Sequence, residues 1–96
     1  MLSIICAYNN KEILEECLIS SLNNQIKKDY ELILIDTLIH KFISAAEALN
    51  FGAEQANGDN LLFIHQDVVF DNNNFIGDLS EWISKYEFGI VGLAGA

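Results

Sequence analysis

Four short apolar runs punctuate the chain: "LSIICA" from Leu2, "ELILI" from Glu31, "NLLFI" from Asn60 and "FGIVGL" from Phe88. Each is continuous rather than alternating, the pattern of strands covered on both faces, as in a parallel sheet. The intervening stretches carry helical spacing. In "NKEILEECLISSLNNQ" an apolar stripe joins Ile13, Leu14, Cys17, Leu18 and Leu22, with Asn9 or Asn10 placed to cap its start. In "KFISAAEALNFGAEQANG" the stripe is Phe42, Ala46, Leu49, Ala53 and Ala56, and Asn57-Gly58 stops it. In "NNNFIGDLSEWISKY" it is Phe75, Ile76, Leu79, Trp82, Ile83 and Tyr86. The order βαβαβαβ predicts an α/β fold of the Rossmann-like, three-layer α/β/α kind, with a mostly parallel sheet and right-handed crossovers. No linker interrupts the pattern, so residues 1–96 are expected to form a single domain.

The polar residues at the strand ends are the informative departure from this pattern. In open α/β sheets, ligands bind outside the carboxyl ends of the strands, where the strand order reverses. If the order is 2-1-3-4, Ala7-Tyr8-Asn9 and His65-Gln66-Asp67 face each other across that point. The second group breaks the apolar run "LLFIHQDVVF". On an extended backbone His65 and Asp67 point to one side and could share a divalent ion, with substrate phosphates and waters completing its shell. Otherwise they pair with each other or cap the next turn. Tyr8 can stack on a base or simply pack. Asp36, at the second strand's end, can accept a hydrogen bond from a base or ribose, or cap the following segment. Neither GxGxxG nor GxxxxGK[ST] occurs, and no Ser, Cys or His combination suggests a nucleophile with its base.

Composition narrows the partners. The 96 residues fit one small domain, and 51% are apolar, enough for a core. Fourteen acids against five bases give a net charge of −9, which excludes a nucleic-acid surface built on clustered Lys and Arg. An acidic chain that takes a phosphate ligand needs a metal ion to offset the charge; otherwise the acid serves solubility. Cys6 and Cys17 form no CxxC and read as free thiols of a reducing compartment. The start "MLSIICAYNN" lacks the basic region of a signal peptide. No run approaches the ~20 apolar residues of a membrane span. A cytoplasmic location is expected.

These segments together resemble the family 2 glycosyltransferases of the GT-A fold. "SIICAYNNKEILEECLISSLNNQ" is similar to that family's opening strand, Tyr-Asn turn and amphipathic helix, and "YELILID" to its second strand with an acid at its end. "AEALNFGAEQANGDNLLFIHQDV" resembles the segment that runs into the DxD-type metal site, in the subgroup where the motif reads His-Gln-Asp. The resemblance implies a nucleotide-sugar donor, UDP-sugar above all, with Ala7, Tyr8, Asn9 and Asp36 at the nucleotide. It further implies Asp67 and His65 at a divalent Mn²⁺ or Mg²⁺, and sugar transfer to an acceptor that the residues do not name. Three features depart from the family: "DTLIHKF" replaces a second acid and a Gly-Ser turn, Leu49 stands where the family has Arg, and His65 stands for an acid. No residue matches the family's catalytic base. The chain therefore looks like the donor-binding half, truncated, and is expected to transfer no sugar by itself. The other reading is an inactive α/β module that binds a nucleotide or only a protein partner. The third strand is expected to have an open edge unless "FGIVGL" docks on it. A homo-oligomer, most simply a two-fold dimer, is expected to cover such an edge.

Overall fold

The computed structural model describes residues 2–39, 41–86 and 90–92, with side-chain environments for those up to residue 83. A four-stranded parallel sheet runs in the order β2-β1-β3-β4: β1 is Leu2–Tyr8, β2 Tyr30–Asp36, β3 Asn60–Phe63 and β4 Ile90–Gly92. This is the order that the switch-point argument required. β4 pairs with β3, so "FGIVGL" does dock there; its residues 88, 89 and 93 lie outside the described ones.

Alternation along β1 divides the core. Leu2, Ile4 and Cys6 face one layer, at 3% exposure or less, together with Leu62 and Ile64. That layer is the helical stretch α1 (Lys11–Leu14), a π-helical turn (Glu15–Ile19) and α2 (Ser20–Asn23), joined by α4 (Phe75–Tyr86). Leu14, Leu18 and Leu22 are its buried row. They recur every four residues, which overshoots the 3.6-residue turn. The wider π turn between them absorbs the excess and keeps the row on the sheet. Ile13, expected in this stripe, sits at its margin with 36% exposure.

Among the described residues, the opposite face carries only the helix α3 (Ala45–Glu54). Ser44 caps it, its Oγ accepting from Glu47 N–H at 3.2 Å, and this cap starts the helix after Phe42, the first residue of the expected stripe. The buried residues of α3 are Ala48 and Gly52, rather than the expected row Phe42, Ala46, Leu49, Ala53 and Ala56. Close approach decides the facing: a Cβ on Gly52 would lie 2.6 Å from Ile5 Cγ2 and 3.3 Å from Ile35 Cγ1. The smallest residues turn inward because the helix backbone rests almost on the strands.

α4 shares the α1 face. Its N-terminus is latched by buried Gln25, whose Nε2 donates to Asn72 O (2.7 Å) and whose Oε1 accepts from Ile76 N–H (3.0 Å). The β2–α3–β3 and β3–α4–β4 crossovers step the same way across the sheet but over opposite faces, so they have opposite hands. The expectation of uniformly right-handed crossovers fails for one of them. The local cause is the Gln25 latch together with Ile26 N–H, which donates to Asn73 O at 2.8 Å.

A polar cluster closes the amino ends of the strands. Ser3, fully buried, donates to Glu31 Oε2 at 2.6 Å and accepts from Gly58 N–H at 2.8 Å. Glu31 also accepts from the Asn57 and Gly58 backbone. The Ser3 hydroxyl, then the Asn57 backbone N–H, hold the Glu31 carboxyl below its ordinary value of 4.5. A carboxyl lowered on folding stabilises the fold when ionised. That contribution is complete above the unfolded value and fades as pH falls through the folded one. Urea titrations from pH 7 to 3 should therefore show wild type losing stability below about pH 4.5 more steeply than Glu31→Gln. For Gly52→Ala, overpacking costs about 1–3 kcal/mol and helix propensity returns up to about 1. A net loss of about 1–2 kcal/mol in urea unfolding is the expected result.

Candidate functional site

An open cleft of about 790 Å³ lies at the carboxyl ends of β1 and β3, on the side of the sheet that carries α3. That volume is within the range of small-molecule sites. Ala7, Tyr8 and Asn9 line it from β1, and His65, Gln66 and Asp67 from the turn after β3. Thr37, Lys41, Ser44 and Ala48 complete the α3 side. The structure thus brings together five of the six residues expected at the site. The sixth, Asp36, is not among the lining residues. Its Oδ1 accepts from the backbone N–H of Leu38 (2.9 Å) and Ile39 (3.4 Å), the local capping role that the sequence left open.

Asp36 still shapes the cleft through its register partner, Tyr8. Burial first, then the charge of Asp36 and a hydrogen bond to it, push the Tyr8 phenol above its ordinary value. The phenol stays protonated near neutral pH, which suits a stacking surface better than a base. Thr37 locks the two strand ends together: its N–H and its hydroxyl both donate to Tyr8 O, at 2.9 and 3.0 Å. No feature of "DTL" in the sequence signals this.

The triplet after β3 does not extend the strand. Ile64 N–H still donates to Ile5 O (3.1 Å), and then the chain turns, with Val68 N–H donating to His65 O at 3.3 Å. The same-side argument for His65 and Asp67 assumed an extended backbone and does not apply. What places both on the cleft is the turn itself. Gln66 holds that turn. Its Oε1 accepts from the N–H groups of Asn9 (3.1 Å) and Asn10 (3.0 Å), and its Nε2 donates to Asn9 Oδ1 (2.9 Å). Asn10 in turn caps α1, its Oδ1 accepting from Ile13 N–H at 3.1 Å. The middle residue of the triplet is thus a clamp between the two halves of the cleft, a role that the sequence reading did not assign.

Below the cleft floor lies Cys6. Burial and, behind it, the Asp67 carboxylate push its thiol up to about 12. Such a thiol is a core residue and no nucleophile. Among the described residues no group of three or more His, Cys, Asp or Glu side chains gathers to hold a metal. His65 and Asp67 are two donors on one cleft, enough for an ion that a bound diphosphate and waters also ligate. No described helix is long and apolar enough to cross a membrane.

The clamp is open to test. Gln66→Ala removes three hydrogen bonds at an exposed site, where water replaces part of their worth. The expected cost is about 0.5–1.5 kcal/mol in urea unfolding, with faster amide exchange at Asn9 and Asn10 than at the Leu62 core.

The comparison with known families agrees with this architecture. A profile described as "Glycosyltransferase like family" matches residues 3–96, from the second residue of β1 past the end of β4. No curated protein and no solved structure matches the chain. The parallel sheet, the switch-point cleft and the span of that match lead to one assignment: the chain belongs to the glycosyltransferase-like family.

Proposed function

We propose that the cleft binds a nucleotide-sugar donor, UDP-sugar above all, and that the chain belongs to the subgroup whose metal motif reads His-Gln-Asp. The observation that carries this reading is the meeting of Ala7, Tyr8 and Asn9 with His65 and Asp67 on one cleft at the strand switch point. Tyr8 would offer its ring to the base, and Asp36 would support Tyr8 from behind and lie near the base. His65 and Asp67 would hold a divalent ion, Mn²⁺ or Mg²⁺, which as a Lewis acid would stabilise the diphosphate leaving group. In the transfer itself, the bond between the anomeric carbon and the diphosphate would break as an acceptor oxygen bonds to that carbon, the acceptor's proton passing to a general base or to the departing diphosphate. The free thiols Cys6 and Cys17 suit a cytoplasmic place of action.

Calorimetry with UDP, with and without Mn²⁺, tests the reading. Binding should be weak and should strengthen on adding metal. Asp67→Ala should abolish that increment, while its unfolding free energy stays within about 0.5 kcal/mol of wild type, because the side chain is exposed. Equal heats with and without metal, or no heat with any nucleotide diphosphate, would sink the donor-site reading and favour an inactive binding module.

A further inference from the structure

The sheet has two edges, and they differ. β4 is three residues long, and short edge strands resist pairing. β2 is seven residues long, pairs with β1 without a bulge, and contains no Pro, Lys or Arg. Nothing among the described residues pairs with its outer side. Natural edges are usually guarded by lysines, prolines or bulges. A seven-residue edge whose only charges are Glu31 and Asp36, near its two ends, calls for a cover.

Its geometry selects the cover. Thr37 N–H donates to Tyr8 O, so residue 37 points its backbone at β1. Strand alternation then sends the N–H and C=O of Leu32, Leu34 and Asp36 outward, and those of Glu31, Ile33 and Ile35 toward β1. We propose that the cover is a second copy of this chain, joined through antiparallel β2–β2 pairing about a two-fold axis at Ile33. In that register Leu32 lies opposite the second copy's Leu34, and Tyr30 opposite its Asp36. The leucines point outward, so each Leu32–Leu34 couple forms a hydrogen-bonded pair, while Tyr30, whose N–H already donates to Lys28 O at 2.9 Å, offers its C=O to the Asp36 N–H. Ile33 lies opposite Ile33, and Glu31 opposite Ile35, as the intervening non-bonded pairs. One register thus satisfies the outward groups of Leu32 and Leu34 and the Asp36 N–H from both copies.

Charge favours the same register. The two acids of β2, Glu31 and Asp36, each meet an uncharged partner, and no acid faces an acid across the seam. Leu34, 39% exposed in the single chain, gains apolar cover from Leu32. Parallel pairing would lack the two-fold axis, and a one-residue slip would place Asp36 opposite Glu31 and turn bonded pairs into non-bonded ones. Two chains of −9 repel at long range, and salt screens that repulsion, so the dimer should tighten as salt rises.

Cysteine cross-linking reads the register directly. Residues opposite each other at a non-bonded pair have Cα atoms about 4.5 Å apart, within disulfide reach. In full chains carrying Cys17→Ser, Ile33→Cys should therefore form a disulfide-linked dimer on mild oxidation. Leu34→Cys should not, since diagonal partners lie about 7–8 Å apart. Sedimentation equilibrium of the wild type should give twice 10.7 kDa at micromolar concentration. Leu34→Lys, with an unchanged far-UV spectrum, should raise the dissociation constant at least about tenfold, because it seats an ammonium against leucine. A wild-type species of 10.7 kDa throughout would overturn the proposal. So would a dimer whose Ile33→Cys form fails to cross-link, or one in which Leu34→Cys links equally well.

Discussion

Everything in this fold is referred to β1, the inner strand with the longest pairing. It pairs with β2 along seven residues and with β3 along four, and both of its faces are covered. Because the sheet is parallel, every connection must leave at one end and return at the other. The chain departs from β1 to the left and later arrives beside it on the right. Both β1 and β3 lead into the layer of α1 and α4, and Gln66 ties the two departing segments together. The cleft therefore opens on the other side of the strand ends, toward α3 and the segment that leads into it.

The two ends of the sheet then take different polar chemistry. At the amino ends the strands are drawn together by Ser3, Glu31, Asn57 and Gly58, which exhaust their hydrogen bonds on one another. At the carboxyl ends Gln66 and Thr37 fasten the strand ends and leave His65, Asp67 and Tyr8 among the residues that line the cleft. A site that must hold a ligand's atoms in place is better built on such fixed strand ends than on a mobile loop. The fasteners and the exposed groups alternate along the chain: Gln66 lies between His65 and Asp67, and Asp36 caps a turn beside Thr37.

The strands and the topology were legible in the sequence because continuous apolar runs and helical spacing report burial, and burial decides a parallel sheet. Expectation failed where small residues and single hydrogen bonds decide. Hydrophobic spacing chose Leu49 and Ala53 for the inner side of α3, but steric closeness chose Ala48 and Gly52. Periodicity records how apolar a position is and not how near a backbone passes. The site was half legible. Polar residues after apolar runs lie among those that line the cleft. The roles of Gln66, Thr37 and Asp36 depend on which backbone N–H lies within 3 Å or so, and no pattern along one chain encodes a distance across the sheet. Ser44 and Glu47 did offer a readable signal, a capping box, that would have corrected the start of α3.

In the proposed donor site His65 would stand where the resembled family has an acid, and that has an electrostatic consequence. A divalent ion held by two carboxylates is neutralised before any phosphate arrives. Held by one carboxylate and a neutral imidazole, it keeps a net positive charge to present to a diphosphate. The same change weakens the grip on the ion when no ligand is present, since imidazole contributes no charge and the hard cations prefer oxygen. The surrounding charge of −9 does not compensate, because much of it is distant and screened. Lys41, on the opposite side of the cleft, adds positive charge and not a further ligand. Metal and nucleotide would then bind as one unit, each supplying what the other's site lacks. Two protein donors suffice in such an arrangement, and a third acidic side chain near Asp67 would repel the phosphates as much as it held the ion.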